Sequence, residues 1–445
     1  MPSSISVKLR ALGSQLRENK LVRNILTAVS GTAGAQLINL ALIPVIMRIY
    51  GPEVFGVLGT FQSLTIILIP VAALTLPMAI VLPRRQADAR TLVRSSLFIA
   101  TAIACILALI LYICGDSLAD ALGIGLLKPY LMLLPIVMFS AATLEITQQW
   151  LYRNQCFGLT ARAAAIQALC YNSMRSAAGL IHASAPVLVI TTALQQAIYT
   201  LLLLFGIRYG RYTPLPETDT TTPPASAREL IRRYRDFPLF RAPQMLINAF
   251  SHHVPTLVLA ASFGAIPAGF FALCVQVLAI PTNFIGRSVS SVYYPKVTEA
   301  LHAGQPVAGL LARGIGGLAA IGFVPFLIVA VTGPDLFAWV FGEEWRIAGE
   351  FARWLAVAEF IGFTCAPVVA AGPALSMQRH FFLYEVASTC LRLLAIAVGA
   401  LYIKDAGALV NGFALANGLV NVWLIVMVLN KARRVHEQAA KLIPD

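Results

Sequence analysis

The stretch "IMRIYGPEVFGVLG", residues 46–59, sets one arginine and one glutamate between two long apolar runs. Beginning 213 residues later the chain reads "LAASFGAIPAGFFAL" (259–273), with the same Gly, four residues, Gly spacing and neither charge. Aligning Gly51 with Gly264 also aligns Gly56 with Gly269, and the apolar runs that follow end at Pro83 and Pro295, 32 and 31 residues on. An offset close to half the chain predicts an internal repeat.

The surroundings of both copies are apolar. Of 445 residues 58% are hydrophobic and 12% charged, against about half and about a quarter in a soluble globular domain. A spanning helix needs about 20 apolar residues to cross about 30 Å of hydrocarbon. Twelve such runs fall near 25–47, 55–82, 95–114, 127–150, 160–181, 184–206, 242–263, 268–291, 308–332, 351–375, 381–403 and 406–430. Barrel strands would show as segments of about ten residues with alternating polarity, and these runs are continuous and twice that length. The expected fold class is an all-α polytopic membrane protein with about 12 transmembrane helices.

The net charge of +13 comes from short clusters between apolar runs, which is a topology signal and argues against a nucleic-acid partner. With the N-terminus in the cytoplasm, about 26 of the 33 Lys and Arg lie in or beside cytoplasmic segments, which puts both termini there. The only long polar stretch, 208–240, is rich in Pro, Thr and Ser and ends in an arginine run, the composition of a flexible linker. Six runs precede it and six follow, so the halves are expected to be parallel repeats around a central cavity. The expected organisation is a basic tail (1–24), a six-helix bundle (25–207), the linker (208–240), a second six-helix bundle (241–430) and a tail (431–445). In the first tail Ile5, Leu9, Leu12 and Leu16 share one helical face, which suits either a helix on an anionic leaflet or a frayed segment.

Seven scattered cysteines form no CxxC pair, and no His or Cys cluster has metal spacing. Walker, GxSxG and HExxH motifs are missing, and "GIGG" at 314–317 reads as close helix packing. No catalytic residue, metal or cofactor is expected, and the chain reads as a non-enzyme.

A charge at mid-bilayer costs about 2.5–3.5 kcal/mol on insertion scales and asks for a partner or a wet cavity. Glu145, Arg175, Arg287, Glu359 and Arg392 fall inside the runs. Glu385 lies nearer a run's end, and Arg287 is close enough to one to snorkel. Arg175 and Arg392 either line a cavity or pair with a buried glutamate such as Glu145 or Glu359. The seventh run carries "NAFSHHVP" (248–255), placing Asn248, Ser251, His252 and His253 near its middle. Adjacent residues point about 100° apart, so at most one histidine faces a cavity directly. Polar glue between helices and an anion or proton site are both open readings. Gln36 and Asn39, three apart in the first run, could complete such a site. Arg48 and Glu53 form either a solvated turn at the rim or a gate bridge to Glu343, Glu344 or Arg346.

With these pieces placed, the chain resembles the polysaccharide biosynthesis flippases, the Wzx-like O-antigen and exopolysaccharide translocases of the multidrug/oligosaccharidyl-lipid/polysaccharide exporter (MOP) superfamily. The matching stretches are "RIYGPEVFGVLG", "YRDFPLFRAPQMLINAFSHHVP" entering the seventh run, "YYPKVTEA" (293–300) and "FGEEWRIAG" (341–349). The resemblance implies a bacterial inner-membrane protein that turns an undecaprenyl-pyrophosphate-linked oligosaccharide from the cytoplasmic to the periplasmic face by alternating access, among membrane lipids and polysaccharide polymerase and chain-length proteins. A pyrophosphate suits arginine forks. Arg175, Arg287 and Arg392 are the interior candidates, Arg23 and Arg241 those at the cytoplasmic mouth. Gln276 stands about where the family often carries a basic residue.

Three competing readings remain, one of them a scaffold that gathers glycosyltransferases at the membrane, for which buried arginines would be a needless cost. A cation-coupled multidrug exporter of the same superfamily would want an acidic residue deep in the first half, where the first run offers only Gln36 and Asn39. An O-antigen polymerase or ligase would want a large periplasmic loop, whereas the longest loop here is cytoplasmic.

Overall fold

The computed structural model describes residues 20–209, 225–303, 305–375 and 377–441, and among these every regular element is a helix. The surface helix expected at residues 5–16 lies outside them. The first two apolar runs form α1 (Lys20–Ala72), broken at Gly51 and followed by a 3-10 turn, Leu76–Val81. Runs three to six become α2 (Gln86–Ala121), α3 (Leu133–Arg153), α4 (Phe157–Ile181) and α5 (Ala185–Tyr209). A short α6 (Ala227–Arg233) precedes α7 (Ala242–Phe263). Run eight is split by Pro281 and a π-turn, Thr282–Gly286, into α8 (Ala265–Pro281) and α9 (Arg287–His302). Next come α10 (Val307–Phe341), α11 (Arg346–Thr364), α12 (Ala366–Ala371), α13 (Gln378–Ala397) and α14 (Ala406–Lys441). Each expected run thus coincides with a helix or a broken helix pair.

Eight stretches among the described residues are long and apolar enough to cross a membrane. Helices α3, α4 and α7, of 21, 25 and 22 residues, fall short in apolarity and not in length. They carry Glu145, Arg175 and the His252–His253 pair, and in a bilayer such helices turn their polar residues toward protein.

The chain divides into two compact units. One takes the described residues through Ile49 together with Leu64–Ala121 and Leu127–Leu246; the other takes Tyr50–Ser63, Leu122–Leu126 and the described residues from Ile247 onward. The segment that opened the sequence analysis therefore clusters with the second unit. Gly51 (φ 68°) and Gly264 (φ 90°) hold the same left-handed turn at the head of their helices, open to glycine without steric cost. A Cβ on Gly56 would sit 1.8 Å from the Ala265 carbonyl oxygen, and one on Gly269 would sit 2.2 Å from that of Pro52. The contact is reciprocal. Each glycine meets the carbonyl just beyond the other copy's turn, so only hydrogen fits at either position. Trp345 of the "FGEEW" stretch, 1% exposed, seals the crossing between Phe55 and Phe270 at ring distances of 5.8 and 6.0 Å. The ionic difference between the copies is local: a Cβ on Gly51 would lie 3.2 Å from a Glu344 carboxylate oxygen, whereas Gly264 faces open space.

Within the stretch read as a linker, α6 docks on the first unit. Ser226 caps it by accepting the Glu229 N–H at 3.2 Å. Leu230 is buried among Leu76, Ile80, Leu92 and Ile146. The Ala225 N–H donates to Asp88 Oδ1 at 2.9 Å, and the Thr75 hydroxyl donates to the Phe237 carbonyl at 3.1 Å.

Candidate functional site

In the second unit α7 and α13 meet through charge. Arg392, 4% exposed, donates from Nη1 to the Ser251 hydroxyl at 3.0 Å and lies 3.4 Å from His252 Nε2. Its buried Nε–H has no hydrogen-bond partner among the described residues. One turn earlier on α7 and two turns earlier on α13, Asn248 Nδ2 donates to Glu385 Oε1 at 3.0 Å. Beside this seam is a cavity of about 50 Å³ lined by His252, His253, Glu359, Leu355, Val275, Leu278 and Phe413. It holds a few waters or a small polar group, at roughly 10–15 Å³ per water on this measure, and not a sugar. Both histidines border it, contrary to the one expected from helical geometry, because neighbouring side chains 100° apart can still flank one small space.

In the first unit α1 and α4 meet through carboxamides. Asn172, 2% exposed, donates from Nδ2 to Asn39 Oδ1 at 2.6 Å and to its own helix at the Ala168 carbonyl. Arg175, 7% exposed, lays its guanidinium over the Tyr171 ring, 4.9 Å from the centroid. The Tyr171 hydroxyl reaches Thr192 of α5 at 3.0 Å. Glu145 and Arg175 form no ion pair within 4 Å, and neither do Glu359 and Arg392.

The other expected residues are dispersed. Gln36 is exposed on α1 and Gln276 on α8. Glu145 is half-buried on α3. Arg241 is exposed and donates to Gln244 at 3.1 Å. Arg48 and Glu53 are exposed on either side of the Gly51 turn. Arg346 is held by Asp335 of α10, at 2.6 Å, and by Glu343 of its own turn. The side chains of Arg23 and Arg287 lie outside the described residues.

Three residues escaped the sequence reading. Tyr171 and Asn172 share a helical face with Gln167 and Arg175, a spacing legible along 167–175. Arg153 left no such signal. Its guanidinium collects the carbonyls of Ile80, Val81, Pro83 and Arg84 and the Gln86 side chain, closing the end of the 3-10 turn.

Comparison with known proteins gives a consistent fold. An inward-facing multidrug resistance MATE family transporter of the MOP superfamily superposes with a TM-score of 0.71 at 13% identity, covering 93% of this chain and 100% of that one. The lipid II flippase MurJ, in an inward closed conformation, gives 0.69 at 11% identity over 95% and 94%. A MOP superfamily transporter from Pyrococcus furiosus, described as having a binding pocket of reverse polarity, gives 0.63 at 14% over 93% and 95%. Likenesses at such identities speak for the fold alone. No curated protein matches the sequence. Residues 45–349, well over half of the chain, match the model of the family described as polysaccharide biosynthesis protein, and the chain belongs to that family.

Proposed function

We propose that this protein is a flippase for a lipid-linked oligosaccharide, turning an undecaprenyl-pyrophosphate-linked repeat unit from the cytoplasmic to the periplasmic face of a bacterial inner membrane, with both termini cytoplasmic. The observation that carries the reading is Arg392. A family tied to polysaccharide synthesis here keeps a guanidinium 4% exposed within an apolar helix, with one N–H donor that has no partner among the described residues and with His252, 3.4 Å from its Nη1, lining a small cavity. A buried cation is expensive in a bilayer, and a planar fork of donors matches phosphate oxygens. The cavity itself is too small for sugar, so Arg392, His252 and His253 are contact points for the phosphate while the glycan travels by a wider path. The lipid II flippase handles a lipid-linked substrate on the same fold. Arg175 is the corresponding candidate in the first unit, and Arg23, Arg241, Arg287 and Gln276 remain candidates along the path.

The test is the sidedness of lipid-linked oligosaccharide in inner-membrane vesicles from cells with and without the protein, read by a lectin or glycosidase confined to the periplasmic face. Glycan that becomes accessible only with the protein supports flipping. Unchanged exposure with collapsed polymer length would favour a polymerase, and export of cationic drugs without glycan exposure would favour a multidrug exporter.

A further inference from the structure

We propose that the docked segment 225–241 is a binding surface for anionic phospholipid headgroups. This goes beyond the flippase reading and does not rest on it. Leu230 fixes the inward face of α6 against the first unit. Arg228 and Arg232, four residues apart, lie on the face opposite Leu230, and exposed Arg235 follows in the next turn. None of the three has a carboxylate within 4 Å among the described residues, whereas neighbouring Arg233 pairs with Glu229 at 3.8 Å. The Ser226 cap and the bonds at Ala225 and Phe237 hold this row in place, so the charges are presented on a fixed element.

What selects a bilayer over a soluble acidic partner is the next turn. Leu239 and Phe240, 60% and 70% exposed, stand between the arginines and the start of α7 at Ala242. Exposed apolar side chains leading into α7, the helix that coincides with the seventh apolar run, mark the hydrocarbon boundary. The arginines, seven and more residues before Ala242, then stand at headgroup level, where each adds attraction to an anionic leaflet. A soluble acidic ligand would leave the apolar pair without a role.

The test uses the full chain in a neutral detergent, titrated calorimetrically with dioctanoyl phosphatidylglycerol and, separately, with dioctanoyl phosphatidylcholine. The expected result is tighter binding of the glycerol lipid, weakened roughly 100-fold in R228Q/R232Q/R235Q, with phosphatidylcholine unchanged. Glu229→Gln frees Arg233 and is expected to tighten the anionic lipid. Equal affinities for the two lipids in the native chain, or an unaltered phosphatidylglycerol affinity in the triple variant, would overturn the proposal. Displacement of the lipid by millimolar inorganic phosphate or by polyglutamate would also overturn it, because the surface would then be a general anion or protein site.

Discussion

Asn39 and His252 stand 213 residues apart, the same offset as Gly51 and Gly264. Their partners are also related: Asn39 bonds to α4 in the first half, and His252 faces α13 in the second, the fifth helix of each repeat. Arg175 and Arg392 lie 217 residues apart, one helical turn beyond strict register. One scaffold position has therefore been filled in two ways. The first seam joins two carboxamides 2.6 Å apart, with its arginine laid on a tyrosine ring. The second puts its arginine at the contact itself, bonded to Ser251, and borders a cavity with two histidines and a glutamate. A polar seam between membrane helices serves as glue when its groups pack against one another, and as a site when a cavity is left beside its charge.

The largest effect expected breaks the reciprocal crossing of the two repeated turns. Gly56→Leu or Gly269→Leu drives a side chain into a carbonyl 1.8 or 2.2 Å from the new Cβ, at a cost of about 3 kcal/mol or more. Either variant should fail to accumulate in the membrane, as judged by immunoblot and by fluorescence-detected gel filtration, whereas the same change at open Gly316 should not.

Next in size is the pair of arginines. Arg392→Ala is expected to reduce glycan exposure by tenfold or more at unchanged protein level, and Arg392→Lys to restore only part, because a point charge replaces a fork. Arg175→Ala is expected to impair exposure less. Equal losses would erase the difference between the seams.

Smaller again is the glue itself. Asn172→Ala leaves the Asn39 carbonyl oxygen unpaired and should lower stability by roughly 0.5–1.5 kcal/mol, seen as a lower melting temperature in detergent with transport retained. The smallest effect lies outside both seams. The hydrogen bond from exposed Lys128 to Asp120, 2.7 Å long, raises the lysine above its ordinary value. A raised amine stabilises the fold fully below its unfolded pKa and loses that contribution as pH rises through the folded one. Lys128→Met should therefore match the native chain in melts above the lysine range and fall only slightly below it at neutral pH.

The fold was largely legible because hydrophobic runs of membrane length leave few alternatives, and Gly51 and Gly264 marked the turns where α1 breaks and α8 begins. That Tyr50–Ser63 belongs with the second unit was not legible, since a glycine records that something comes close and not what. The α7 polar cluster was legible as a patch, and Arg392 as an ion needing company, but their meeting depends on helix rotation within the bundle. Arg153 was illegible for a related reason: its acceptors are backbone carbonyls 69 to 73 residues away, which every sequence possesses. The ordered part of the linker was hidden by composition, because the Pro and Thr run preceding α6 outweighs the single buried Leu230.

The most direct test of the contrast between the seams is periplasmic glycan exposure in inner-membrane vesicles carrying native protein, Arg392→Ala or Asn172→Ala at matched abundance. The account predicts native exposure for Asn172→Ala and a loss of tenfold or more for Arg392→Ala. Native exposure in Arg392→Ala would contradict it and reduce the second seam to the same structural role as the first.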